Sequence, residues 1–414
     1  MLSSVQVVKG SKMSTGGRKA RAALVMMMVL NIFICIVMVL SWSLWQHRSS
    51  YQKIKIPSKK FWRTQTLSES FWNREQLRLD FIYSPVFTSE LSNNSSVDLP
   101  EWMNSTAPVD PCEPVYRVST QIWDYNTLPQ RFQDFLLYMR CRTYPMLINQ
   151  PNICHQKPFL LLAIKSLVPH FDRRQAIRET WGKAGVLANQ TVTLVFLLGN
   201  AMPEDHFSDL TWLLAHEVEL HKDILQWEYR DTFFNLTLKE VLFLEWFSQH
   251  CPQAQFILKG DDDVFINIPQ IIDFLEGLPK SKAEELFVGD VISNAGPHRD
   301  QKLKYFIPES FFVGQYPPYA GGGGYLYSGK LALRLYNISQ QVALYPIDDV
   351  YTGMCLRKMG LVPEKHTGFR TFDIEENFRS NPCVYRSLML VHKRTPQEML
   401  KIWTWIIHPE LECQ

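Results

Sequence analysis

The chain has 414 residues, a length that suggests two or three structural units. Its 43 Lys and Arg against 41 Asp and Glu leave a formal charge of +2, which argues against a nucleic-acid-binding protein, since such domains carry a large basic excess. Hydrophobic residues at 46% and charged residues at 20% exclude wholesale disorder and collagen-like or low-complexity architectures.

Residues 1–21 contain Lys9, Lys12, Arg18, Lys19 and Arg21 and no acid, and are expected to form a cytoplasmic tail. Residues 22–45 then run for 24 positions without a charge. A helix that long crosses a bilayer core of roughly 30 Å, whereas a cleaved signal has a shorter apolar region and a small-residue cleavage site. The segment therefore reads as a transmembrane signal anchor, with Trp42 and Trp45 at the interface. Positive charge flanks both ends, so orientation rests on the glycosylation sequons at Asn93, Asn94, Asn104, Asn189, Asn235 and Asn337. All lie beyond the span, which predicts a single-pass type II protein with a lumenal C-terminus. Of the eight Cys, Cys35 lies in the span. The remaining seven are expected mostly to pair in an oxidising lumen, leaving at least one over. No CxxC pair occurs, which disfavours a zinc ribbon or a thioredoxin-type site.

Residues 46–110 are polar and without sustained period, and read as a stem. Residues 111–157 read as an irregular cap rich in Cys and Pro, disulfide-tied to the domain beyond it. From 158 onward apolar runs alternate with helical stretches. PFLLLAIKSL (158–167), TVTLVFLLG (191–199), QFILKG (255–260) and ELFVGDVI (285–292) read as strands. Helices are expected over 173–182, near 205–219, over 233–250 and over 267–278. This alternation predicts an α/β domain over 158–414 with a mostly parallel sheet, and ligands at the carboxyl ends of its strands.

Three adjacent carboxylates, Asp261, Asp262 and Asp263, come directly after the strand QFILKG. They repel one another unless a cation is present, and oxygen ligands suit a hard divalent ion that also meets substrate phosphates. An EF-hand fails, because Ile266 and Ile272 stand where that loop needs Gly and Glu. Asp348 and Asp349 precede a second helix start, where one acid serves as a cap and the other as a general base. Ala320–Tyr325 contains four glycines, which permit close backbone approach to a ligand; a flexible loop is the plain alternative, but the flanking Pro and Tyr suggest a shaped segment. Arg173, Arg174 and Arg178 suit a diphosphate. His392 comes after an apolar run. Gly324–Lys330 imitates a P-loop, but Leu331 replaces the Ser or Thr. His216-Glu217 imitates a zinc-protease helix, but Leu220 replaces the second His.

The segments RRQAIRETWG (173–182), FLLG (196–199), DTFFNLTLK (231–239), KGDDDVFIN (259–267), YPPYAGGGGYLYSG (316–329) and DDVYTG (348–353) occur in one order over residues 158–394. Together they resemble glycosyltransferase family 31, most of all its UDP-GlcNAc:β-galactose β-1,3-N-acetylglucosaminyltransferases of the poly-N-acetyllactosamine type. The resemblance implies a GT-A-like nucleotide-sugar-binding fold. It implies Asp263 and His392 as ligands of Mn²⁺ or Mg²⁺, and Arg174, Arg178, Asp231, Asp261, Asp262, Gly322 and Gly323 at the donor. Asp349 would be the catalytic base. The family's Glu-Asp-Val is Asp348-Asp349-Val350 here, which shortens the first acid.

The implied reaction is inverting transfer of GlcNAc from UDP-GlcNAc to the 3-OH of a terminal β-galactose on glycoproteins or glycolipids, at the Golgi membrane. Membrane tethering also fits a homodimer. A β-1,3-galactosyltransferase using UDP-galactose shares the same motifs. A non-catalytic lumenal lectin or folding partner would tend to lose the acids, which are intact.

Overall fold

Leu160–Lys165 is buried at every position and runs apolar until its last residue, the signature of a strand covered on both faces. The computed structural model describes residues 26, 34–38, 69–83, 112–201, 209–407 and 413. Two units are distinguished, 1–58 and 59–414. In the first, residues 26 and 34–38 are helical. Most of the predicted anchor, the tail, and Asn93, Asn94 and Asn104 lie outside the described residues. Among those described, no helix is long and apolar enough to cross a membrane.

The second unit is an α/β fold. Its strands are β1 (Met146–Ile148), β2 (Leu160–Lys165), β3 (Gly185–Leu187), β4 (Gln190–Asn200), β5 (Ile224–Arg230), β6 (Phe256–Asp261), β7 (Val264–Ile266), β8 (Phe287–Ile292), β9 (Tyr319–Ser328), β10 (Glu364–Lys365), β11 (Phe369–Arg370) and β12 (Leu390–His392). The main sheet has the order β1-β5-β4-β2-β6-β9-β8-β10, with β3 on β4. Its centre, β5-β4-β2-β6, is parallel; β9 enters antiparallel to both β6 and β8.

Side chains alternate across the sheet. Leu161 and Ala163 of β2 face the helices Leu236–His250, Gly329–Ser339 and Asp348–Lys358. Leu160, Leu162 and Ile164 face Phe171–Glu179, Ile268–Glu276 and Pro396–Ile407. A small sheet, β11-β12-β7, sits beside the exit of β6.

The structure adds to two expectations. The glycine-rich segment is shaped as the interior of β9, which rules out the flexible-loop alternative. Glycine disfavours strands intrinsically, yet Gly324 has φ +149° and a Cβ there would lie 2.6 Å from the Lys259 carbonyl. Within the expected stem, Phe71–Ile82 is a helix that buries Phe71 and Trp72. Trp72 donates its indole N–H to the Ala343 carbonyl at 3.1 Å, and the Phe71 and Trp72 amides donate to Ser310 and Phe311. The cap is tied to the end of the helix Leu236–His250 by Cys154–Cys251, and Cys383–Cys413 closes a second bridge. Cys112, Cys141 and Cys355 are free.

Candidate active site

The parallel strands β2 and β6 end in register, Lys165 opposite Asp261. Lys165 Nζ lies 2.8 Å from Asp261 Oδ1 and 2.8 Å from Asp348 Oδ2. Asp348 and Asp349 form the first turn of the helix Asp348–Lys358, where carboxylates complement the helix dipole. Lys259, one pleat back on β6, pairs with Glu240 and lies 3.9 Å from Asp348. Burial and the Lys165 charge press Lys259 down to about 7. Burial opposes the charge on Lys165 too, but Asp261 and Asp348 hold its pKa well above the usual value.

Asp349 stands beside this network with no ion-pair partner among the described residues. Its Oδ1 is buried and without a hydrogen-bond partner. Burial first, then the adjacent Asp348, push its pKa well above the carboxylate range; Lys165 pulls the other way. A Cβ on Gly322 would lie 2.7 Å from Asp349 Oδ2, so only glycine leaves the carboxyl room there.

Beyond Asp261 the chain turns into β7, which pairs antiparallel with β12 so that Val264 faces His392. His392 Nε2 therefore reaches to 3.2 Å from Asp263 Oδ1 and 3.9 Å from Asp261 Oδ2. Its Nδ1 lies 2.9 Å from the Thr371 carbonyl, so Nδ1–H is the donor and Nε2 turns toward the acids. Among the described residues, Asp261, Asp263 and His392 each offer an atom within 4.8 Å of the others, a spacing that can hold a metal ion. Burial opposes an imidazolium at His392, but Asp263 and Asp261 raise its pKa nonetheless, so the two carboxylates favour positive charge between them.

Not every predicted residue joins this cluster. Asp262 is buried and turned the other way, with Oδ1 2.8 Å from Arg173 and Oδ2 2.7 Å from both Ser166 and His170. These partners outweigh burial and hold its pKa below the usual range. Arg174 has no exposed surface. It donates to both oxygens of Glu217 and to the Leu167 and Val168 carbonyls. Arg178 bonds Glu217 and both oxygens of Asp223. The guanidinium that reaches the acidic turn is instead that of Arg173, 3.8 Å from Asp263. Asp231 accepts from the Gly199 amide at 2.7 Å and from Lys239 at 2.8 Å, and its Oδ1 is buried without a partner. A Cβ on Gly323 would come within 3.0 Å of His392.

Glu217, of the failed zinc-protease pattern, is the counter-ion of the buried Arg174 and the largely covered Arg178. Lys165 went unnoticed in the sequence. The signal was there: a lone ionisable residue ends an apolar strand at the carboxyl edge of a parallel sheet.

Asn189 lies exposed in the β3–β4 turn and Asn337 exposed on a helix. Asn235 is half-buried and donates its amide to the Arg230 carbonyl at 2.8 Å.

Residues 172–367, which span the acidic turn and Asp349, match the galactosyltransferase family profile. The N-acetyllactosaminide beta-1,3-N-acetylglucosaminyltransferase 2 of Mus musculus is 56% identical over 401 residues, covering 97% of this chain and 100% of the relative. The Homo sapiens protein of that name matches equally. The chain belongs to the galactosyltransferase family, glycosyltransferase family 31. A more distant member, UDP-GlcNAc:betaGal beta-1,3-N-acetylglucosaminyltransferase 7 of Rattus norvegicus, is 41% identical over 354 residues, or 80% of this chain and 87% of its own.

Proposed function

We propose that this family 31 protein is a β-1,3-N-acetylglucosaminyltransferase of the Golgi membrane with a GT-A-like fold. It would move GlcNAc from UDP-GlcNAc to the 3-OH of terminal β-galactose on N-acetyllactosamine chains. The observation that carries the reading is Asp349. It is a half-buried carboxyl with one covered, unpartnered oxygen and a raised pKa, standing one residue from the network that holds Asp261. A raised pKa makes a carboxylate basic enough to take a hydroxyl proton near neutral pH.

In this reading Asp349 removes the proton from the galactose 3-OH as that oxygen attacks the anomeric carbon. The bond to UDP breaks on the opposite side, so the α-linked donor gives a β-linked product. A single displacement needs one base and no covalent intermediate. Asp261, Asp263 and His392, two oxygen donors and one imidazole nitrogen, fit Mn²⁺ or Mg²⁺. When bound, such an ion supplies positive charge to the diphosphate leaving group. Asp262, Arg174 and Arg178 act behind the cleft, fixing the turn and the helix Phe171–Glu179 against it, while Asp231 and the backbone at Gly322 and Gly323 face the donor.

The test is UDP release by the full-length chain with Mn²⁺, N-acetyllactosamine, and UDP-GlcNAc or UDP-galactose in turn. Release with UDP-GlcNAc alone is expected. Release with UDP-galactose alone would replace the donor assignment, and release with neither would favour a lectin.

A further inference from the structure

The helix Asp348–Lys358 carries Asp349 in its first turn, and Lys165 holds that end through Asp348. The other end is held by a helix from far earlier in the chain. Lys358, the last residue of the helix, pairs with Asp80 of Phe71–Ile82. Lys358 Nζ also donates to the Gln341 carbonyl at 3.1 Å. One turn before Asp80, the Gln76 carboxamide closes the ring. Its Nε2 donates to Asp80 Oδ1 at 2.8 Å and to the same Gln341 carbonyl at 3.0 Å. Its Oε1 accepts from the Ala343 amide at 2.9 Å, while the Ala343 carbonyl accepts from Trp72.

Residues 341–347 lead into the acid pair and are neither helix nor strand. Val342, Ala343, Leu344 and Tyr345 are nevertheless buried. A buried irregular segment needs partners for its backbone amides and carbonyls. At Gln341 and Ala343 those partners are Gln76, Trp72 and Lys358. The ring of Tyr345, four residues before Asp349, packs edge to face on Trp72 at 5.8 Å between centroids. The helix also fits closely against β9. Gly322 leaves no room for a Cβ beside Asp349, and a Cβ on Gly353, one turn further along the helix, would lie 2.8 Å from Tyr319 Cβ. A base fitted so closely tolerates little drift, since misplacement by about 1 Å can cost about 10²-fold in rate.

We propose that Gln76 and Asp80 are positioning residues for Asp349. They fix the segment that enters its helix and the Lys358 end of that helix, and so set where the carboxyl stands beside β9. The inference rests on the transferase reading and extends it to a helix inside the expected stem.

The experiment uses the full-length chain with saturating UDP-GlcNAc and N-acetyllactosamine, and the variants Asp80→Ala, Asp80→Asn and Gln76→Ala, each alone and on Asp349→Asn. Asp80→Ala removes the partner of both Lys358 and Gln76, and is expected to lower kcat about ten-fold. KM for UDP-GlcNAc should stay within about two-fold, because the donor groups are not moved. Asp80→Asn keeps an acceptor oxygen and should recover most of kcat. On Asp349→Asn, with the residual transfer followed by mass spectrometry, adding Asp80→Ala should cost less than about two-fold, since no base is left to position. Gln76→Ala should follow Asp80→Ala; if it melts below the assay temperature, the Asp80 pair decides. An unchanged kcat in Asp80→Ala would overturn the proposal. So would an equal loss with and without Asp349, which marks a merely structural role, or a loss confined to KM. If wild type transfers no GlcNAc, the transferase reading itself fails, and that failure is visible before any variant is measured.

Discussion

Lys165 and Asp348 meet at 2.8 Å across 183 residues of sequence. The same ammonium grips Asp261, so one buried cation ties the strand that bears the acidic turn to the helix that bears Asp349. Removing it leaves the buried Asp348 with only Lys259, 3.9 Å away, and breaking a buried pair typically costs about 3–5 kcal/mol. Lys165→Met is therefore expected to lower Tm and to reduce turnover roughly ten-fold or more through misplacement of the base. Adding Asp348→Asn is expected to recover part of the lost Tm, because the orphaned charge is gone. A double-mutant cycle measures this, and strictly additive losses would show the two groups uncoupled.

Asp349 can take a proton only as a carboxylate. Burial and Asp348 hold its pKa well above the ordinary 3.8, so kcat should rise with pH through an acid limb above that value. Asp348→Asn removes a charge that raises this pKa, so the limb should move to lower pH. A pH profile of kcat checks the sign, and a limb that stays or moves upward refutes the assignment. Asp349→Asn should lose about 10²–10⁴-fold in turnover and keep its affinity for UDP.

Asp263→Asn takes the negative charge, and His392→Ala the imidazole nitrogen, from the proposed metal site. Calorimetry should show UDP affinity in Mn²⁺ falling roughly ten-fold or more, with affinity in chelator little changed. Equal losses in both conditions would point to collapse of the turn instead.

Glycines of one strand should fail in different ways. Gly322→Ala places a methyl 2.7 Å from Asp349 Oδ2, so turnover should drop while Tm holds. Gly324→Ala meets backbone at φ +149°, so Tm should drop, by about 1–3 kcal/mol of stability. Thermal melts beside kcat separate the two.

The parallel centre of the sheet was legible because strands buried on both faces must be apolar throughout, as Leu160–Ile164 and Leu194–Leu198 are. Strand β9 was not. Its glycines carry no pattern, and the reason for them lies in Asp349, His392 and Lys259, which other segments bring alongside. The helix Phe71–Ile82 was hidden for a similar cause, since the partner of Trp72 is 271 residues away.

By itself the sequence determined the chemical inventory: an acidic triplet at a strand end, a second acid pair at a helix start, and a family likeness that the relatives bear out. Composition and local order suffice for that, because strand ends and helix starts are local signals. Only the tertiary structure decided which of these groups meet. It joined Asp261, Asp263 and His392, turned Asp262 inward to Arg173, and spent Arg174 and Arg178 on Glu217 and Asp223. Whether a charge faces a cleft or a counter-ion depends on strand register and side-chain direction, and those are set by packing between segments far apart in the chain.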